Sequence, residues 1–313
     1  MSNVVLVKDL NEIGEMKIYY HRYLSDKNPP GSIFAAKTPA CSITAYKSGK
    51  VLFQGSGCQE ESAKWGQPAK QSESPKKGSS NLTHLPKNIS TLSVIGSDEV
   101  GTGDYFGPIT VVAAYVNKEQ IPSLKELGVK DSKDLNDEKI VSIAKEIKDI
   151  IPYSLLTLHN EKYNKLQQSG MSQGKMKALL HNQAIGHLLK KIAPDVPEAI
   201  LIDQFAKEEV YYSYLKKESV VQKKNVYFST KAEGIHLAVA AASILARYAF
   251  IKHFDNLSKA AGFTITKGAG AKVDEAAARI IHENGLESLP AFVKLHFANT
   301  DKAKRLFALK YRK

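Results

Sequence analysis

The sequence predicts an α/β protein in which a mixed sheet is flanked by helices and preceded by a small α+β domain. After residue 90, short apolar runs typical of buried strands recur, and stretches with apolar residues at helical spacing separate the later runs. A polar segment divides this part from the N-terminal residues. Two successive strands, followed by strands that alternate with helices, indicate a sheet with both antiparallel and parallel pairs.

Residues 1–60 are predicted to form the N-terminal domain. Apolar residues at helical spacing predict a helix from Asp9 to Tyr23, and the sequence Pro29-Pro30-Gly31 then interrupts the chain. Three strand-like runs follow, and residues 47–50 are a good hairpin turn because Gly49 tolerates a positive φ. The predicted strands are residues 32–36, 42–46 and 51–54.

Residues 61–89 are predicted to be a polar linker, since Ser, Gln, Lys, Gly, Glu and Pro dominate there. Trp65 is the exception and a candidate for docking on a folded part of the chain. Residues 90–313 are predicted to form the second domain. Its predicted strands are residues 92–97, 109–116, 153–158, 199–202 and 226–229, and its predicted helices are residues 137–150, 175–192, 235–254, 274–284 and 300–311.

The charge and cysteine content favour some classes of protein over others. The chain has 313 residues and a formal net charge of +12, which favours a polyanionic partner, although a merely soluble basic protein has the same property. Cys41 and Cys58 form no CxxC pattern, so a reducing, cytoplasmic setting is expected. Neither a signal peptide nor an apolar run near the roughly 20 residues of a bilayer span is evident, so no membrane partner is expected.

Acidic motifs carry the predicted chemistry. Asp98 and Asp203 each end an apolar run, and Glu233 opens a long alanine-rich helical stretch. Glu99 follows Asp98, and both can serve one site only where the strand ends, as Val100 and Gly101 indicate. Carboxylates at such ends can converge at the rim of a sheet, where Mg²⁺ or Mn²⁺ would neutralise them. Individually, these acids are equally typical of solvated strand ends, helix caps and first helical turns.

Candidate substrate contacts lie beside the acids and on the N-terminal hairpin. Gly101, Thr102 and Gly103 suit a loop whose backbone approaches a ligand, and no dinucleotide fingerprint is present because a strand follows. The loop with Ser132 and Lys133 could grip phosphates or could be merely solvated. Basic and aromatic residues of the hairpin suit a nucleic-acid groove. These hairpin candidates are Tyr46, Lys47, Lys50 and Gln54, and possible neighbours of the acidic site are Asn160, His181 and Asn182.

Taken together and in this order, the motifs resemble bacterial ribonuclease HIII, in the type 2 ribonuclease H family, over nearly the whole length. They are residues 98–101, 201–205, 231–234 and 240–247, with residues 46–55 matching the N-terminal domain of that family. The resemblance implies a ribonuclease H-like sheet and an N-terminal domain similar in fold to half of a TATA-binding protein. Ribonuclease HII typically has Asp at the position of Glu233 and usually Arg at that of Thr102.

The resemblance further implies an endonuclease that hydrolyses the RNA strand of an RNA/DNA hybrid and leaves 5′-phosphate and 3′-hydroxyl ends. Two Mg²⁺ or Mn²⁺ ions would be held by Asp98, Glu99, Asp203 and Glu233. The loop of residues 101–103 would read the 2′-hydroxyl group, while Lys133 and Lys231 would contact phosphates. A monomer is expected. The alternatives are a non-catalytic nucleic-acid-binding protein and another two-metal nuclease on a ribonuclease H-like fold, which would also cleave DNA.

Overall fold

The computed structural model of the chain describes residues 3–25, 28–29, 31–66 and 85–311. Its contacts divide the chain into two compact units, residues 1–80 and 81–313. Most of the segment predicted as a polar linker, residues 67–84, lies outside the described residues.

The first unit is a four-stranded antiparallel sheet in the order β1-β4-β3-β2, with helices packed on one face. Alternate side chains of its strands are buried, among them Ile43, Val51 and Phe53, and they pack against Ile13 and Met16 of the first helix. Its elements are β1 (Asn3–Val7), α1 (Leu10–Tyr19), β2 (Ser32–Lys37), β3 (Ser42–Tyr46), β4 (Lys50–Gln54) and α2 (Cys58–Ala63).

The N-terminal unit differs from its prediction at three places. The edge strand β1 was not predicted, because its short apolar run gains a partner only by pairing with β4. Helix α1 is shorter than predicted, since it ends at Tyr19 and a 3-10 turn follows. Helix α2 spans the predicted boundary at residue 60, and the indole Nε1 of Trp65 donates a 2.9 Å hydrogen bond to the hydroxyl of Tyr20. The packed N-terminal structure therefore continues to at least Trp65.

The second unit is built on a five-stranded mixed sheet in the order β7-β6-β5-β8-β9. Strand β5 pairs antiparallel with β6 and parallel with β8, which agrees with the predicted mixed sheet. Its elements are β5 (Val94–Val100), β6 (Ile109–Val116), α3 (Ile121–Glu126), α4 (Asp137–Ile147), β7 (Tyr153–Leu158), α5 (Asn160–Gln168), α6 (Gln173–Ile192), β8 (Ala199–Asp203), α7 (Glu208–Tyr214), β9 (Val226–Ser229), α8 (Leu237–Ala261), α9 (Ala271–Asn284), α10 (Leu289–Phe292) and α11 (Asn299–Lys310).

Helices cover both faces of this sheet. Helices α4 and α8 pack on one face in one apolar core, and α6 packs on the other face in a second core. The last three helices enclose a third core around Tyr105 and Phe106. Helices α5 and α7 were not predicted, because α5 is polar over most of its length and α7, with seven residues, is too short to show an apolar stripe.

Helix α8 lies against the backbone of β5. A Cβ atom placed on Gly96 would lie only 2.2 Å from the carbonyl carbon of Ala238, so no larger residue fits at this crossing. In length and composition α8 could span a membrane, although the sequence analysis expected no apolar run of that length. However, 72% of its most apolar 18-residue stretch is buried inside the protein. Such burial is typical of a core helix, whose many alanines allow close packing on a sheet.

Candidate functional site

Three of the predicted acids lie at one edge of the mixed sheet. Ser97 of β5 pairs with Ile202 of β8, so Asp98 and Asp203 follow at the same level of two parallel strands. The backbone N–H of Ala232 donates a 2.9 Å hydrogen bond to Oδ1 of Asp203. This bond holds the 3-10 turn Ala232–Gly234, and therefore Glu233, beside the strand ends. The convergence at the sheet rim agrees with the sequence.

Asp98 and Glu99 lie within β5, because the strand continues to Val100 rather than ending at Ser97 as predicted. Since neighbouring residues of a strand point to opposite faces, the two carboxylates diverge. The backbone N–H of Glu99 donates a 2.7 Å hydrogen bond to Oδ1 of Asp98, and Ser243 of α8 lies near the same carboxylate. Glu99 points to the opposite face, where it contacts α6.

Two side chains of α6 hold the carboxylate of Glu99. Nζ of Lys177 lies 2.8 Å from Oε1, and Nε2 of His181 lies 2.9 Å from Oε2. The ring of Phe205 stacks on His181, and the centroid of this ring lies 4.1 Å from Nζ of Lys177. Burial acts to raise the pKa of Glu99, but the contacts with His181 and Lys177 lower it overall. Lys177, His181 and Phe205 are called the Glu99 clamp below.

His181 is itself fixed by β5. Its Nδ1 lies 2.7 Å from the hydroxyl of Ser97, and that hydroxyl donates its hydrogen to the carbonyl of Val112. Nε2 donates to the carboxylate of Glu99, because a carboxylate oxygen can only accept. The expectation that His181 neighbours the acidic site is confirmed. Asn182 instead fixes the backbone at Val220, and Asn160 donates to the carbonyl of Gly107.

The remaining aspartates are poorly stabilised as charged groups. Burial, followed by the charge of Glu99, raises the pKa of Asp98 to about 8. Burial also raises the pKa of Asp203, and the charges of Glu233 and Glu99 add to that effect. Each aspartate therefore senses Glu99 and one further acid of the set, and the four acids are called the acidic unit below. A nearby cation would relieve their repulsion.

Glu233 provides a ligand atom that the protein leaves without a partner. Its Oε1 is bonded to Nζ of Lys133, whereas Oε2 is buried and accepts no hydrogen bond. In the described part of the chain, no other buried side-chain oxygen or nitrogen lacks a partner. Glu233 lies in the 3-10 turn before α8, whose N-cap is His236, so it is not in the first turn of α8.

The donor set fits a hard divalent cation. All of its atoms are carboxylate oxygens, the type of ligand that Mg²⁺ and Mn²⁺ prefer, and one of them is orphaned in a buried position. Among the described residues, no three His, Cys, Asp or Glu side chains are already gathered as a metal site. Lys133 and Lys177 hold two of the four acids in ion pairs instead. The residues fit the ion, but these ion pairs occupy part of the site.

The glycine loop is only partly available to a ligand. Gly101 has φ of +96°, and a Cβ atom there would lie 2.2 Å from the carbonyl oxygen of Pro108, so the fold itself requires this glycine. The carbonyl of Thr102 accepts a 3.1 Å hydrogen bond from Gln173. Gly103 is exposed, with no atom near its virtual Cβ. Thr102 and Gly103 therefore form the open part of the loop.

Lys294 supports this loop from the protein interior. Its side chain is fully buried, and its Nζ donates to the carbonyl oxygens of Asp104 and Gly107. Burial lowers the pKa of Lys294 to about 7, while the charge of Asp104 opposes that shift. Sequence analysis did not reveal this role, since a lone lysine in an apolar stretch is usually a surface residue.

The other predicted contacts fall into exposed and buried groups. Lys133 and Lys231 are exposed beside the acids, and Lys231 adopts a left-handed φ of 57°. Ser132 is buried, and its hydroxyl lies 2.9 Å from that of Ser243. It therefore contacts Ser243 of α8 instead of presenting an exposed group to phosphates.

The hairpin candidates share one surface of the first unit. Because Ala45, Val51 and Phe53 point into the core beneath the helices, Tyr46 and Lys50 lie on the opposite face of the sheet. Gln54 lies on that face by the same alternation, and Lys47 is exposed in the turn. These four residues are called the hairpin surface below.

Comparison with known proteins assigns the family. The family model for ribonuclease HII matches residues 95–300, and a family described as a domain of unknown function matches residues 3–78. The chain is 58% identical to ribonuclease HIII of Bacillus cereus (strain ATCC 10987) over 98% of this chain and 99% of that protein. The chain belongs to the ribonuclease HIII family. Ribonuclease HIII of Bacillus anthracis (strain CDC 684) is also 58% identical, over the same shares.

Solved structures of ribonuclease HIII support the same conclusion. The crystal structure of Bst-RNase HIII in complex with Mn²⁺ matches with a TM-score of 0.70 at 48% identity, covering 100% of both chains. RNase H3 of Aquifex aeolicus, at 22% identity and a TM-score of 0.53, shows the shared fold alone. The protein is thus a ribonuclease H, from a family of RNA/DNA-hybrid endonucleases, and its ribonuclease H-like fold with an antiparallel N-terminal sheet is confirmed. The Mn²⁺-bound homologue supports dependence on a divalent metal.

One lysine of the site escaped the sequence analysis. Lys177 contacts Glu99 from α6, yet it belongs to no acidic motif. A signal for Lys177 was present, because it lies four residues before His181 and so shares its helical face. Helical spacing alone did not reveal that this face turns toward Glu99.

Proposed function

We propose that this ribonuclease HIII family member hydrolyses the RNA strand of RNA/DNA hybrids by two-metal-ion catalysis, leaving 5′-phosphate and 3′-hydroxyl ends. The observation that carries the proposal is the unpartnered, buried Oε2 of Glu233, next to two aspartates whose pKa values are raised by burial. Such an arrangement is incomplete without cations, and a phosphodiester cleft needs them. Two Mg²⁺ or Mn²⁺ ions are the proposed cofactors.

Asp98, Glu99, Asp203 and Glu233 would hold the metal ions, with each residue fixed by its own element of the fold. When bound, the two ions supply Lewis acidity for the attacking water and for the leaving 3′ oxygen. The backbone N–H of Glu99 orients Asp98, and the backbone N–H of Ala232 orients Asp203. The chain's contribution is to preorganise these oxygens, which lowers the reorganisation needed in the transition state. No nucleophilic side chain is required.

Selectivity for RNA would come from the 2′-hydroxyl group, which distinguishes a hybrid from duplex DNA. In the loop of Gly101, Thr102 and Gly103, the exposed backbone at Thr102 and Gly103 is the proposed reader, and Gly101 shapes the turn. Lys133 and Lys231 would contact phosphates. We further propose a monomer in the cytoplasm, where the buried free thiols of Cys41 and Cys58 would stay reduced.

The decisive experiment compares three labelled substrates: an RNA/DNA hybrid, an all-DNA duplex and a duplex with one ribonucleotide. We expect cleavage of the hybrid with Mg²⁺ or Mn²⁺, 5′-phosphate on the products, and no cleavage in EDTA. Equal cleavage of the DNA duplex would instead favour another two-metal nuclease. Hybrid binding without cleavage under either metal would favour a non-catalytic binding protein.

The hairpin surface is proposed to hold the hybrid. Replacing Lys47 and Lys50 together by Ala should weaken hybrid binding by about tenfold and reduce the slope of log affinity against log salt by about 2, because two phosphate contacts are lost. The turnover rate at saturating substrate should not change. Binding measured by fluorescence anisotropy at several salt concentrations provides the test.

The matched control is Lys17→Ala, since Lys17 is exposed on α1, which covers the other face of the sheet. Substitutions are preferable to a deletion of residues 1–60, which would cut α2 in two. If the double variant kept the affinity and salt slope of the wild type, the hairpin surface would not be the binding surface.

A further inference from the structure

We propose that the side-chain ammonium of Lys177 competes with divalent metal ions for the carboxylate of Glu99. Glu99 is then released to a metal ion only when the Lys177 ammonium leaves it. This inference rests on the proposed metal site and deepens it, since it concerns which group neutralises Glu99 before the ions bind.

The ion pair in the Glu99 clamp is largely buried, unlike a surface ion pair. The Lys177 and Glu99 side chains are only 12% and 11% exposed, and their charged atoms are 2.8 Å apart. By contrast, Lys133, which pairs with Glu233, has a side chain that is 70% exposed. A buried pair is little screened by water, so the ammonium of Lys177 is a substantial local charge beside Glu99.

Both oxygens of Glu99 are engaged, but by partners of different mobility. His181 is fixed between Ser97 and Phe205, so it holds Oε2 in place. Lys177 reaches Oε1 through a flexible four-carbon side chain, and its other close contact is the face of Phe205. The mobile partner is therefore Lys177, and its departure would free one oxygen while His181 keeps the carboxylate oriented.

The charge on Lys177 bears on the whole acidic unit. Glu99 influences both Asp98 and Asp203 electrostatically, so a cation on Glu99 stabilises the set of acids without a metal ion. A divalent ion near Glu99 would be repelled by the ammonium and must displace it. Substrate phosphate offers Lys177 an alternative anion, which would couple substrate binding to metal binding.

A purely structural role for Lys177 gives a different expectation. If the lysine only braced Glu99, its removal would loosen the carboxylate and leave metal affinity unchanged or weaker. If it competes with the metal, its removal must strengthen metal binding. The direction of the change therefore separates the two roles.

The test is a calorimetric titration of the full-length, substrate-free protein with Mn²⁺ alone, supported by the electron paramagnetic resonance signal of free Mn²⁺. We expect Lys177→Met to bind Mn²⁺ about tenfold more tightly than the wild type, within the usual range of coupling between two ligands. Lys177→Arg keeps the charge and should bind like the wild type. Thermal unfolding without metal checks that each variant is folded.

The matched control is Lys191→Met on the same helix. Lys191 lies 5.3 Å from the ring centroid of Tyr153 and donates to its backbone carbonyl, so it has a similar aromatic contact away from the acids. Its Mn²⁺ affinity should equal that of the wild type. If folded Lys177→Met bound Mn²⁺ as tightly as the wild type or more weakly, competition by Lys177 would be ruled out. The proposed metal site would not be contradicted by that result. If the wild type itself bound no Mn²⁺, the proposed metal site would fail, and this inference with it.

Discussion

Asp98→Asn is expected to reduce hybrid cleavage by on the order of 10³-fold, equivalent to about 4 kcal/mol of transition-state stabilisation. Asp98 is proposed to place a negatively charged oxygen beside the metal ions, and its Oδ1 accepts a hydrogen bond from the backbone N–H of Glu99. Asparagine keeps the shape and loses the charge. Single-turnover cleavage of a labelled hybrid with saturating Mg²⁺ measures the chemical step directly.

The same substitution should not unfold the metal-free protein. Burial and the neighbouring carboxylates raise the pKa of Asp98 to about 8. The protonated carboxyl group therefore stabilises the fold fully below its ordinary pKa, and this stabilisation is lost as the pH rises through 8. Asn cannot ionise, so in EDTA at pH 8 the variant should unfold at the same temperature as the wild type or higher. Loss of activity would then reflect chemistry and not folding.

Asp149→Asn is the control for Asp98→Asn, because its side chain is 77% exposed and lies outside the acidic unit. It should cleave the hybrid like the wild type. Retention of near-normal cleavage by Asp98→Asn would remove Asp98 from the proposed metal ligands and shift the site toward the other three acids.

Gly96→Ala is expected to have the largest effect on stability. The added Cβ would lie 2.2 Å from both the carbonyl carbon of Ala238 and the backbone nitrogen of Val239. These are backbone atoms of α8, which cannot rotate away as a side chain could. We expect a loss of roughly 3 kcal/mol or more, or about 6–12 °C in melting temperature. Differential scanning calorimetry in EDTA measures it without a contribution from metal binding.

Gly270→Ala is the matched control for Gly96→Ala. Gly270 lies in the same unit, its φ is −86°, and no atom lies within 4 Å of its virtual Cβ. Its substitution should leave the melting temperature within a few degrees of the wild type. If Gly96→Ala were equally harmless, α8 would have to sit farther from β5 than the structure places it.

Much of the fold could be predicted because its elements have strong local patterns. The five strands of the mixed sheet are short apolar runs, and α4, α6 and α8 are long enough to show their apolar faces. Elements whose formation depends on a partner were missed. Strand β1 exists through its pairing with β4, and α5 is polar over most of its length.

Some residues of the site could be predicted and others could not. The acidic motifs were found because an acid directly after an apolar run can be recognised in the sequence, and the position of His181 near these acids was also predicted. The position of Glu99 was not, since the predicted strand ended too early and its divergence from Asp98 follows from the pairing of β5 through Val100. Ser132 was expected at an exposed phosphate contact, yet it is buried against Ser243.

By itself, the sequence determined the fold class, the order of the main elements and the four candidate carboxylates, because strand and helix periodicity and charge are local properties. Only the tertiary structure decided which partners hold those carboxylates. Lys177 is 78 residues from Glu99 and Lys133 is 100 residues from Glu233, and each pair forms only when the helices and loops are folded against the sheet. The energy of a buried ion pair depends on distance and on exclusion of water, and both are set by packing.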